Sequence, residues 1–106
     1  MGILTAQLRV QYLQLHESNL QYQIQMITQT KMNLSANSNE LVNIGTDLDA
    51  DSPELKLLEQ RRAKLKLVED NLDSMLERYK VQLQAVQGEK QSADKYLQDG
   101  MKIFSY

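Results

Sequence analysis

The stretch SPELKLLEQRRAKLKLVEDNLDSMLERYKVQLQAVQGEKQSADKYLQDGMKIFSY, Ser52 to Tyr106, decides the fold. It opens on Asp51-Ser52-Pro53-Glu54, a helix start signal. Proline is favoured at the first helical position because its missing N–H would be unpaired there anyway. Ser52 or Asp51 can supply the capping oxygen, and Glu54 places an acid where the helix dipole favours one. No second proline follows, and the first glycine is Gly88. Leu58, Leu65, Val68, Leu72, Met75 or Leu76, Tyr79, Leu83, Val86, Ala93, Leu97, Met101 and Phe104 recur mostly three and four residues apart, the spacing of one helix face. A helix of this length would extend roughly 75 Å, so its apolar stripe needs a partner just as long.

That partner lies upstream. Ala6, Val10, Leu13, Glu17, Leu20, Ile24, Ile27, Lys31, Leu34, Ser38 and Leu41 alternate four and three without a break, a heptad register. Glu17, Lys31 and Ser38 interrupt the apolar seam, and polar seam residues fix register at some cost in stability. A second stripe, Leu4, Leu8, Tyr12, Leu15, Tyr22 and Met26, runs beside the first. A two-helix hairpin covers one stripe and leaves the other bare, and a bare apolar strip of this length marks an interaction surface. Between the helices the composition turns to Asn, Ser, Gly, Thr and Asp, residues that compete with the helix backbone for hydrogen bonds. The expectation is an all-α chain: two long antiparallel helices in one coiled-coil hairpin over residues 1–106. It has a helix at 3–43, a turn at 44–52 closed by Gly45 in a left-handed cap, and a helix at 53–104. The second helix is some ten residues longer, so its end from Leu97 overhangs the hairpin and needs another copy.

Composition narrows the function. With 106 residues there is room for one domain at most. Tryptophan is absent and Phe104 is the only phenylalanine, whereas Leu, Ile, Val and Met, the residues of helix seams, are plentiful. Glutamine is abundant, and seven glutamines fall between Gln7 and Gln29, where they form helix without adding charge. The net charge of −2 speaks against a nucleic-acid partner, since Arg61, Arg62, Lys64 and Lys66 are followed at once by Glu69, Asp70 and Asp73. There is no cysteine, no window apolar enough for a membrane span and no signal-peptide pattern at the start.

Catalysis finds no residues to work with. His16 is the only histidine and stands beside Glu17; it reads as a polar contact residue at the helix edge. Asp47, Asp49 and Asp51 have the early spacing of a calcium loop, but Ser52 stands where glycine is required and Leu58 where glutamate is required. Gly88 and Gly100 mark close helix approach or a local bend rather than a phosphate loop. The five tyrosines are packing residues with a hydroxyl at the edge. No catalytic, cofactor-binding or metal-binding residue is assigned, and no cofactor is expected.

A short chain of two long helices joined by Asp51-Ser52-Pro53-Glu54-Leu55 resembles the needle subunits of bacterial type III secretion systems. Those subunits carry a Pro-Ser/Asp-Asp-Pro type turn before a helix rich in leucine and glutamine; this chain keeps Asp51, Ser52 and Pro53 and lacks the first proline. Lys102-Ile103-Phe104-Ser105-Tyr106 is similar to the apolar C-terminal helix with which needle subunits line their tube. The likeness extends to flagellin-like filament proteins, which also lack cleaved leaders. It implies a non-enzymatic subunit of a bacterial extracellular filament or needle-like tube, secreted or at the cell surface without a cleaved signal peptide. The partners implied are further copies of itself and a secretion chaperone, with no nucleic acid. The expected self-assembly interface is Leu8, Tyr12, Leu15, Tyr22 and Met26, with Leu97, Met101, Ile103, Phe104 and Tyr106 at the other end. The rival expectation is a cytoplasmic coiled-coil adaptor or secretion chaperone forming a closed small oligomer.

Overall fold

The computed structural model describes the backbone of residues 2–104 and the side chains of residues 2–102. The chain is all-helical: α1 spans Ile3–Gly45 and α2 spans Pro53–Phe104, forming an antiparallel helical hairpin. Its contacts gather into two compact units, one of residues 1–24 with 78–106, the other of residues 25–77.

The first unit holds the core. Val10, Leu13 and Leu20 of α1 pack with Val86 and Ala93 of α2, and Tyr79, Leu83 and Leu97 close around them. Leu13 and Leu20 retain only 2% and 3% exposure, so each has gained nearly the full ~1.5–3 kcal/mol of burying a leucine. The helices run antiparallel, with Ile3 against Gly100 and Glu17 paired with Lys90, and Arg9 reaches along α2 to Glu89. Gly100 adjoins Ile3, and a Cβ there would stand 3.4 Å from Ile3 Cγ1, an ordinary van der Waals contact. A Cβ on Gly88 would meet nothing within 4 Å, so neither glycine is required by close helix approach.

The second unit is packed more loosely. Ile27 is buried, while Leu34 and Leu41 of α1 and Leu55, Leu58, Leu65, Leu72, Met75 and Leu76 of α2 are half-buried. The α2 seam there steps from Leu65 to the half-buried Glu69 and on to Leu72, leaving Val68 at 44% exposure. The expected step onto Val68 is therefore corrected by one residue: spacing alone admits three or four, and the facing helix chose four. Lys31, a polar interruption of the α1 seam, forms an ion pair with Asp73.

At the turn, the start of α2 forms as its sequence requires. Ser52 is the cap: its Oγ accepts a hydrogen bond from the Leu55 N–H (3.2 Å), and Pro53 occupies the first helical position. The end of α1 differs from expectation. The helix runs to Gly45, two residues further, and no glycine has positive φ, so the left-handed cap does not form. Instead the last turn tightens: the Asp47 and Leu48 N–H groups donate to the carbonyls of Ile44 and Gly45, three residues back. The Thr46 hydroxyl donates to the Asn43 carbonyl at 2.7 Å. Those bonds satisfy the terminal carbonyls that a left-handed residue would otherwise serve.

Glu17 and Lys90 both sit in the seam, half-buried, with Nζ 3.7 Å from Oε1. A charge in a seam tolerates only an opposite charge across from it, so this pair fixes the register. Exchanging the charges tests it: Glu17→Lys or Lys90→Glu alone should lower the urea-unfolding free energy by about 1–2 kcal/mol, and the double exchange should recover most of it.

Candidate self-association surface

Each outer residue Leu8, Leu15 and Tyr22 follows a seam residue (Ile3, Val10, Glu17) by five positions. Five residues turn a helix by about 140° beyond one full turn, so the second stripe lies on nearly the opposite side of α1 from α2. The structure bears this out in exposure: Leu4 70%, Leu8 59%, Tyr12 63%, Leu15 62% and Tyr22 62% stand in solvent, whereas Val10, Leu13 and Leu20 are buried. Met26, on the same helix in the second unit, is also exposed.

Electrostatics separates this face from an ordinary solvated one. Across Ile3–Gly45 the charged residues are Arg9, Glu17, Lys31 and Glu40, while α2 carries nineteen Asp, Glu, Lys and Arg residues. In the first unit α1 contributes only Arg9 and Glu17, and both are engaged by α2, with Arg9 Nη2 3.3 Å from Glu89 Oε2. The outer face is thus left with leucine, tyrosine, glutamine, serine and asparagine and no formal charge. Solvated helix faces are normally charged, as α2 is; an apolar face without charge marks a protein interaction site. His16 is half-buried at its edge, its ring 6.1 Å from that of Tyr12 and tilted by 47°.

The other expected interface residues divide. Leu97 packs against the hairpin core and is half-buried, so it belongs to the intramolecular seam; this corrects its assignment to the overhang, because Gly100 still faces Ile3. Met101 is 48% exposed. The side chains of Ile103, Phe104 and Tyr106 lie outside the described residues.

A groove of about 660 Å3 opens beside the outer face of α1 in the first unit, bounded by Gly2, Thr5, Ala85, Gly88, Ser92 and Tyr96. Its small residues explain Gly88 better than a helix contact does: the open space above it is the groove. Sequence reasoning saw the glycine and could not see the groove, which needs both helices in register. Among the described residues no cluster of three or more His, Cys, Asp or Glu is arranged to hold a metal, and no helix is long and apolar enough to cross a membrane.

No family model matches the chain, and neither the curated proteins nor the solved structures give a match.

The two faces of α1 make opposite predictions at positions two residues apart. In dilute protein Leu13→Ala should cost about 2–4 kcal/mol by chemical denaturation. Leu15→Lys, on the outer face, should stay within about 0.5 kcal/mol of wild type.

Proposed function

We propose that this chain is a structural, non-catalytic protein that self-assembles through the outer face of α1. One observation carries the reading: a run of exposed leucines and tyrosines on a helix face that has no charge, in a chain whose other helix is densely charged. Leaving such a face in water costs about 25 cal/mol for each Å2 of apolar surface, and a second copy removes that cost without introducing charge repulsion. The architecture it would build is an extracellular filament or needle-like tube. That part of the reading rests on the likeness of Asp51-Ser52-Pro53 and of the C-terminal helix to type III needle subunits. Further copies are the principal partner; a secretion chaperone that masks the same face before assembly is compatible with it.

A second reading, a coiled-coil adaptor forming a closed small oligomer, is favoured by the regular heptad spacing of the outer face, since such a face can pair with itself and close. Light scattering across a concentration series separates the two. Wild type should give a mass well above the 12.2 kDa of one chain, growing with concentration for a filament and fixed for a closed oligomer. Leu8→Glu with Leu15→Glu should return the mass to that of one chain while the helical circular dichroism persists. A double variant as large as wild type would remove this face from the assembly.

A further inference from the structure

The outer face of α1 is more specific than a greasy strip. Leu8, Tyr12, Leu15, Asn19 and Tyr22 alternate four and three residues apart, which is a second heptad seam on the side of α1 facing away from α2. In heptad terms Leu8, Leu15 and Tyr22 fall at d, and Tyr12 and Asn19 at a. Asn19 is exposed and is the one amide in this seam within the first unit, where the a position before Leu8 is Thr5. The positions flanking the seam, Gln11, Ser18 and Gln23 among them, carry no charge, and Arg9 is tied to Glu89. Charge therefore gives no instruction about orientation or register, and Asn19 is left to give it.

The geometry points to a second copy of this chain as the occupant of this face, docked parallel and in register so that Asn19 of one copy meets Asn19 of the other. Polar satisfaction decides between the two orientations. A parallel coiled coil faces a against a and d against d, so two asparagine amides meet, and each can donate to and accept from the other. An antiparallel pairing faces a against d, which sets Asn19 against Leu8 or Leu15 and strands a buried amide at a cost comparable to a lost hydrogen bond. Sliding the antiparallel pair until Asn19 reaches Tyr22 would give it a hydroxyl, but it carries Leu8 and Tyr12 beyond the matching seam of the other copy.

Area supports an occupant of this size. With two tyrosines at about 60% exposure and three leucines at 59–70%, the face offers on the order of 500 Å2 of side-chain surface per copy. A standard specific interface buries about 800 Å2 per partner, so flanking glutamine and serine side chains bring the face close to that size. Because α2 occupies the far side of α1, the second copy approaches without displacing it. An isologous pair of this kind closes on itself. Growth beyond the pair then falls to other surfaces, of which the groove beside Gly88 and the end of α2 at Met101 are open in the hairpin.

This inference rests on the self-assembly reading, and disulfide capture separates failure of one from failure of the other. The chain has no cysteine, so single introductions are clean. Asn19→Cys and, independently, Tyr12→Cys are each oxidised mildly and run on non-reducing gels, with circular dichroism confirming that each remains helical. A mixture of Leu15→Cys and Asn19→Cys protein reports the antiparallel pairing. Light scattering of the reduced wild type is read alongside. In-register parallel docking predicts that most of the Asn19→Cys and Tyr12→Cys protein is captured at twice the chain mass, with no Leu15–Asn19 cross-link in excess of the self-linked forms. Preferential Leu15–Asn19 capture would overturn the parallel arrangement. Association in the absence of either cross-link would overturn in-register parallel docking while leaving self-assembly standing. A monomer by scattering would overturn both.

Discussion

Everything in this molecule depends on one seam: Val10, Leu13 and Leu20 of α1 buried against Val86 and Ala93 of α2, with Glu17 held opposite Lys90 in the middle of it. An isolated helix gains little from its own hydrogen bonds in water, and most of its stability comes from packing an apolar face. The leucines provide that packing and the ion pair provides the alignment. A slip of one heptad would set apolar residues against apolar residues almost as well, but it would move Glu17 and Lys90 away from each other. The distribution of charge follows the same logic. Where α1 carries a charge in the first unit, α2 answers it, and most of the remaining charges of α2 are exposed.

The consequence is an asymmetric pair of helices. α2 packs one side against α1 and is densely charged elsewhere, with Leu57, Leu67, Val68, Val81, Tyr96 and Met101 exposed among those charges. α1 has two apolar sides, and α2 covers one of them. No rearrangement of the hairpin can bury both, because the two stripes are separated by more than a third of a turn on a single cylinder. The unmet requirement is therefore a property of the fold itself and not of any one residue. It accounts for why the residues around it are uncharged amides and hydroxyls, which tolerate both water before assembly and a neighbouring copy afterwards.

Much of this was legible in the sequence because heptad spacing is a geometric constraint. Every residue assigned to the α1 seam from Ala6 to Leu41 is buried or half-buried, including Glu17, Lys31 and Ser38. Ser52-Pro53 started α2 where it was expected, since cap and first-turn chemistry is local. The misses are those that depend on the other helix. Val68 and Glu69 are equally good steps until α1 chooses between them. Gly45 offered a left-handed cap, but carbonyls satisfied by tightened hydrogen bonds and by Thr46 made it unnecessary. Leu97 looked like an overhang because helix lengths were compared without the register that brings Ile3 to Gly100. Asn19 passed unnoticed within the outer stripe because an asparagine interrupts an apolar pattern, although its spacing belongs to that pattern.

The central claim is that the hairpin is incomplete as a single copy, and the concentration dependence of its thermal midpoint tests this most directly. A partner that binds only the folded state raises stability in step with its own concentration. The midpoint followed by circular dichroism should therefore climb by several degrees as protein concentration rises a hundredfold. A midpoint unchanged over that range would contradict the account, because it would mean that the charge-free face of α1 remains in water at no cost the molecule needs to recover.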